Sequence, residues 1–233
     1  MKSFAIVVKD NNISESGYRE LKDSYDKYGH EEGIEPHYAT ELDKVENIAS
    51  ANGLQWNYPW EGQQTDLKTG LIKTAYPTAD KRRRMSCFMS HWYLWQKCVK
   101  LDETICVLEH DARFIKKLPS DRTFKNCKYD IIGINDPSMA TRKSKVYHDK
   151  ILEGTQFFQP VPTIDEFNIP QGLAGNSAYV IKPTGAKTMI ELSKEHGMWP
   201  NDALMCKQLV GAKLGVTTDF YTKVQGTRST TTQ

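Results

Sequence analysis

The sequence predicts an α/β domain in which a mainly parallel central sheet is flanked by helices, and three observations carry that expectation. The chain opens in the order strand, helix, strand, which a right-handed crossover turns into a parallel pair. A later strand leads at once into a long helix with a proline at its start. Between these, a buried apolar run stops abruptly at two acids, in the place where open α/β sheets bind ligands. The 233 residues give room for one such domain and its core. The expected domain covers residues 1–226, with 227–233 as a flexible tail.

Phe4-Ala5-Ile6-Val7-Val8 is continuously apolar, the pattern of a strand buried on both faces. From Ser14 to about Tyr28, the residues Tyr18, Leu21 and Tyr25 fall at helical spacing, with Ser14 as the cap. Glu35-Pro36-His37-Tyr38-Ala39-Thr40 reads as the second strand. Residues 51–80 hold Trp56, Tyr58, Pro59, Trp60 and three glycines without a clean period, which predicts a long loop with at most short helices. Ser86 to Lys100 is the clearest helix, capped by Ser86. Phe88, Met89, Trp92, Trp95 and Val99 share one face, and Cys87, His91, Leu94 and Cys98 form an adjacent stripe, so the helix is largely buried.

Thr104-Ile105-Cys106-Val107-Leu108 and Tyr129-Asp130-Ile131-Ile132-Gly133-Ile134 are the next strands. Residues 138–172 are polar and proline-containing, an excursion over the active face. Ser177-Ala178-Tyr179-Val180-Ile181 is a further strand, followed by a helix from Pro183 to about His196. Pro200-Asn201-Asp202 opens a last helix running to about Leu209.

Composition narrows the class. A hydrophobic share of 39% with 26% charged residues is ordinary for a soluble globular protein. The net charge of +2 does not call for nucleic acid or membrane as a partner. No stretch approaches the ~20 apolar residues of a spanning helix, and Met1-Lys2-Ser3-Phe4 leads into a strand rather than a signal peptide. Five cysteines at irregular spacing, none in C-x-x-C, argue against a disulfide framework or zinc knuckle. A reduced, cytoplasmic protein is expected.

The apolar run ends in Glu109-His110-Asp111. In an extended strand side chains alternate, so Glu109 and Asp111 are expected on one face and His110 on the other. Two carboxylates placed so form a hard-oxygen pair suited to Mg²⁺ or Mn²⁺ on a diphosphate. A surface turn with two solvated acids is the rival reading.

Several segments resemble one family in order. Cys87-Phe88-Met89-Ser90-His91-Trp92 is similar to the G-C-x-x-S-H helix of glycosyltransferase family 25, which includes lipooligosaccharide and collagen galactosyltransferases. Leu108-Glu109-His110-Asp111 resembles its L-E-D-D strand end. The run from Ala174 through Tyr179 to Lys187 looks like its G-x-x-A-Y-x-I-x-x-x-G-A element, Pro200-Asn201-Asp202 like its later Asp-containing helix start, and Gln225 followed by Ser229 like its closing Q…S stretch. The resemblance spans residue 3 to about 230. Three departures stand out. His110 replaces the middle acid, Asn201 stands where many members carry a second acid, and Lys81-Arg82-Arg83-Arg84 makes the approach to the helix more basic.

The resemblance implies a GT-A-type fold and a metal-dependent hexosyltransferase. Its donor would be a nucleoside diphosphate sugar such as a UDP-hexose, and its product would carry inverted stereochemistry. Glu109 and Asp111 are the expected ligands of Mn²⁺ or Mg²⁺. The donor is expected on Val8, Lys9, Thr40, Arg84, Ser90, His91, Gln171, Asn176 and Gln225. Asp202 is the candidate general base for the acceptor hydroxyl, with a plain helix cap as its rival role; Glu109, Asp165 and Glu166 stand next in line. The acceptor is a glycan, a protein side chain or a hydroxylated base.

Several residues keep two readings. His91 contacts the donor or the acid-bearing strand end, or is a satisfied core histidine. Cys87 and His91, four apart, have zinc-compatible spacing, but no second pair does, so zinc is not expected. Residues 81–84 meet donor phosphates, an anionic acceptor or a nucleic-acid backbone, or, as the default for a charge run, form a solvated surface. Trp56, Tyr58 and Trp60 stack on a sugar or base, or pack under the loop. The alternative to an enzyme is a non-catalytic module that binds a nucleotide sugar or glycan. Nucleic-acid binding is a remoter third.

Overall fold

A computed structural model of the chain describes residues 1–139, 144–169, 173, 175–226 and 230. Strand β1 (Ser3–Val7) is buried along its whole length, as its unbroken apolar run requires. Helix α1 (Asn12–Lys27) is capped by Asn11, whose side chain accepts from the Ser14 N–H at 3.0 Å. Ser14 is therefore not the cap. Its hydroxyl accepts from the Val8 N–H at 2.8 Å and ties the end of β1 to the first turn of α1.

Strand β2 (Ile34–Tyr38) follows, then α2 (Val45–Ala51), β3 (Gln63–Thr65), β4 (Ile72–Thr74) and α3 (Lys81–Leu101). Helix α3 starts earlier than Ser86. Asp80 is its cap, so the basic run is its first turn. Next come β5 (Ile105–Glu109), β6 (Ala112–Phe114), α4 (Asp121–Lys125), β7 (Ile131–Gly133), α5 (Ser144–Leu152), β8 (Phe158–Pro160) and β9 (Asn168–Ile169). The chain closes with β10 (Ala178–Ile181), α6 (Pro183–His196), α7 (Asn201–Leu204), α8 (Lys207–Val210), β11 (Leu214–Thr217) and β12 (Thr222–Val224).

Among the described residues the main sheet has seven strands in the order β2-β1-β5-β10-β7-β11-β8. Strands β2, β1, β5, β7 and β11 run one way, while β10 and β8 run the other. Side-chain alternation sorts the core onto two faces. Ile105, Val107, Tyr179 and Ile181 pack with Phe88, Trp92 and Trp95 of α3 and Met189 of α6. Cys106, Leu108 and Val180 pack with Leu21 and Tyr25 of α1 and Phe124 of α4. No helix among the described residues is long and apolar enough to cross a membrane.

Two stretches differ from expectation. Residues 51–80 are not a plain loop: β3 and β4 join β9 in a small second sheet, and the pairing of β4 with β9 is between segments far apart in sequence. That layer is pinned by Lys73, 1% exposed, whose ammonium lies 3.0 Å from Asp66 and 4.9 Å from the Trp199 ring. The expected last helix breaks between α7 and α8. Leu204, Met205 and Cys206 are all fully buried, and Cys206 leaves the helical conformation and is extended as the cap of α8.

Candidate active site

Parallel pairing aligns Ile6 with Glu109, so β1 and β5 end side by side. Antiparallel β10 starts at this same edge, with Ala178 opposite Leu108. It delivers Ser177 to the acids, and the Glu109 N–H donates to the Ser177 carbonyl at 2.7 Å. Strand β5 stops at Glu109, and His110 and Asp111 form a turn into β6. Alternation therefore does not place the two acids on one face; the turn brings them together.

Gln225 clamps that turn. Its side-chain amide nitrogen lies 2.8 Å from the Gly17 carbonyl, 3.2 Å from that of His110 and 2.8 Å from that of Ala112. Its backbone N–H donates to the Asp111 carbonyl at 2.8 Å. Gly17 is required for this approach, because a Cβ there would stand 2.8 Å from the His110 oxygen.

The acids sit in unequal surroundings. Asp111 Oδ1 is buried and without a partner among the described residues. Burial, and then the charge of Glu109, push the Asp111 carboxyl up to about 7, against a hydrogen bond from Ser177. Burial pushes the pKa of His110 down, so the residue in the middle position is neutral near pH 7. Glu109 Oε1 lies 3.2 Å from His91 Nε2. His91 Nδ1 lies 2.9 Å from the Tyr179 hydroxyl, to which Trp95 also donates at 2.9 Å. The Cys87, His91 and Glu109 ligand atoms all fall within 4.8 Å of one another.

A cavity of about 280 Å³ opens beside Glu109. Of the predicted donor residues, Val8, Lys9, Thr40, Ser90 and His91 line it, as does Glu109. Helix α3 contributes Arg83, Ser86, Cys87, Ser90 and His91, a polar stripe at helical spacing beside the helix's apolar face. Two of its hydroxyls fix the cavity rim. Ser90 accepts from the Thr40 N–H at 3.1 Å, and Ser86 donates to the Thr40 carbonyl. Arg83, which the sequence offered only as part of the basic run 81–84, lines the cavity and shares the spacing of Cys87 and His91. Of the expected tail, Thr230 is described, and its carbonyl accepts from Arg83 at 3.0 Å.

The other predicted residues lie elsewhere. Arg84 does not line the cavity; it stacks 5.1 Å from the Tyr76 ring centre and donates to the Pro77 carbonyl. Asn176 contacts Met205 Sδ at 3.4 Å, and its buried Oδ1 has no partner among the described residues. Gln225 serves the acid turn, and Gln171 lies outside the described residues. Asp202 is the second residue of α7, whose cap position is Pro200, so the cap role fails. One carboxylate oxygen accepts from the Tyr76 hydroxyl at 2.9 Å. Burial raises the pKa of Asp202, while the charge of Arg84 and the Tyr76 hydrogen bond oppose the rise. Asn201, next to it, accepts from Cys87 Sγ at 3.6 Å and joins this end of α7 to the α3 stripe.

The aromatic residues of 51–80 pack rather than face the cavity. Tyr58 is buried, and Trp56 stacks on Trp60 at 4.4 Å. Of residues 81–84, Lys81 and Arg82 are the solvated pair, Arg82 bridging to Asp80, whereas Arg83 and Arg84 turn inward.

The profile of glycosyltransferase family 25 (LPS biosynthesis protein) matches residues 78–205, more than half of the chain and the part that holds α3, the acid turn and α7. No curated protein sequence matches the chain. Among solved structures, apo mouse xyloside xylosyltransferase 1 is similar over 91% of this chain and 83% of its own, at 10% identity and a TM-score of 0.44. The WbbM bifunctional glycosyltransferase is similar over 93% of this chain and 38% of its own, at 12% identity and a TM-score of 0.43. LgtC, a galactosyltransferase in complex with donor and acceptor sugar analogs, is similar over 93% and 72%, at 10% identity and a TM-score of 0.39. The structural likenesses are loose, and the assignment rests on the profile. The chain belongs to glycosyltransferase family 25.

Proposed function

We propose that this family 25 glycosyltransferase moves a hexosyl unit from a UDP-hexose to a glycan hydroxyl, with inversion and with Mn²⁺ or Mg²⁺ as cofactor. The observation that carries the reading is Asp111, a buried carboxyl with an unpartnered oxygen, raised to about 7 beside a second acid. A pair of carboxylates left so is short of positive charge, and its hard oxygens fit either cation. Glu109 and Asp111 would hold the metal, which when bound neutralises the charge of the leaving diphosphate. Val8, Lys9, Thr40 and Arg83 offer the cavity wall for the nucleotide, Arg83 with a cation suited to phosphate.

Asp202 takes the proton of the acceptor hydroxyl. Tyr76 and Arg84 favour its ionised form, which a base requires. A single displacement assisted by one base inverts the anomeric carbon. The family's LPS-biosynthesis description supports a glycan acceptor over a protein side chain or a hydroxylated base. The test is UDP release from UDP-hexoses with a glycan panel, in Mn²⁺, Mg²⁺ or EDTA, with the product anomer assigned by NMR. Metal-dependent release and inversion are expected. Release undiminished by EDTA, or a retained anomer, would overturn the corresponding part of the reading.

A further inference from the structure

We infer that His91 is a positioning residue for Glu109, its ring locked in one tautomer by a buried chain that runs through Tyr179 to Trp95. The hydrogen-bond inventory of the four side chains sets the direction. An indole N–H can only donate, so the Tyr179 oxygen accepts from Trp95 at 2.9 Å. The Tyr179 proton is then left for His91 Nδ1, also at 2.9 Å. A neutral imidazole that accepts at Nδ1 carries its proton on Nε2, which donates to Glu109 Oε1 at 3.2 Å.

Burial makes the order hard to change. Trp95, Tyr179 and His91 are all 0% exposed, so no bulk water substitutes for a missing partner. Trp95 sits one helical turn beyond His91 on α3. Tyr179 stands opposite Val107 on β10, two residues back from Glu109 and therefore on the same sheet face. The chain thus starts in the dry core and ends on the acid at the cavity wall. The same geometry argues against the Cys87, His91 and Glu109 cluster as a thiolate metal site. A metal on Nε2 would need the ring proton on Nδ1, where it would compete with the phenol proton.

The effect on metal rests on Glu109 being a ligand; the tautomer does not. Two measurements separate them. Imidazole ¹⁵N NMR of the full chain should find His91 with Nδ1 bare and Nε2 protonated, and this preference should weaken in Tyr179→Phe, where only Glu109 still holds the Nε2 proton. The opposite tautomer in the wild type would overturn the inference whatever the metal does. Mn²⁺ binding, followed by the EPR signal of the free ion, should weaken on the order of 10–100-fold in His91→Ala and about 10-fold in Tyr179→Phe. His91→Ala in the Glu109→Gln background should add little, since His91 acts only through Glu109. Full additivity of the two changes would overturn the positioning role. Failure of wild-type protein to bind Mn²⁺ would sink the metal reading and leave the NMR result to decide the chain. Co²⁺ should bind without a thiolate charge-transfer band; such a band, lost in Cys87→Ser, would show His91 ligating instead and overturn the chain.

Discussion

Asp111 and Asp202 are both carboxylates raised by burial, and the protein treats them in opposite ways. The charge that acts on Asp111 is that of a second acid, Glu109, and one of its oxygens has no partner among the described residues. The foremost charge that acts on Asp202 is that of Arg84, which favours ionisation against a weaker effect of Glu109, and one of its oxygens holds the Tyr76 hydroxyl. The difference teaches how to tell two roles apart. In the proposed roles, a carboxylate supported by its own chain exchanges a proton, whereas one left short of positive charge takes a cation from outside.

Asp202→Asn tests the completed side and should have the largest effect. It keeps the volume and removes the proton acceptor, so turnover should fall roughly 10²–10⁴-fold while donor affinity, measured by calorimetry, holds. Because Asp202 does not cap α7, Asp202→Ala should not show the melting loss of a removed cap. Near wild-type turnover in Asp202→Asn would erase the contrast.

Asp111→Asn tests the incomplete side. The metal-dependent rate should drop by about 10²-fold or more. A pH signature accompanies it. The folded carboxyl is raised from 3.8 to about 7, so the metal-free fold binds a proton that the unfolded chain has already released in that window. The stability this contributes is fully present below pH 3.8 and is lost as pH rises through about 7. The melting temperature of metal-free protein should therefore decline over that range. Asp111→Asn should flatten the decline, and added Mn²⁺ should offset it at neutral pH. A wild-type melting curve that is flat with pH, and insensitive to Mn²⁺, would put both carboxylates in one class.

Tyr76→Phe has the smallest expected effect and sharpens the comparison. It removes the hydrogen bond that favours ionised Asp202, at a cost of about 1 kcal/mol. The pKa of Asp202 should rise further, so the acid limb of the kcat/KM profile should move to higher pH. A limb that stays in place would take Tyr76 out of the base's environment.

Much of this was legible in the chain. The apolar run of β1, the proline-started α6, the strand that stops at Glu109 and most of the α3 stripe follow from local pattern, whereas the two acids are brought together by a turn and not by the alternation expected of them. Other parts depend on segments distant in sequence. Arg83 and Arg84 are neighbours with identical chemistry, and only their helical phase sends one to the cavity and the other toward Asp202. Tyr76 lies in a segment without periodicity, and nothing around it announces a partner 126 residues away.

By itself, then, the sequence determined which segments could be strands or helices and where hard-oxygen chemistry was available, because periodicity and residue type are local properties. Tertiary structure alone decided that β10 runs antiparallel and so brings Ser177 to the acids. It also decided that Gln225 clamps their turn, and that Asp202 meets Tyr76 rather than capping a helix. Those outcomes depend on which backbone groups find partners across the sheet and which side chains share a buried volume. Both are settled by packing between segments that no local pattern connects.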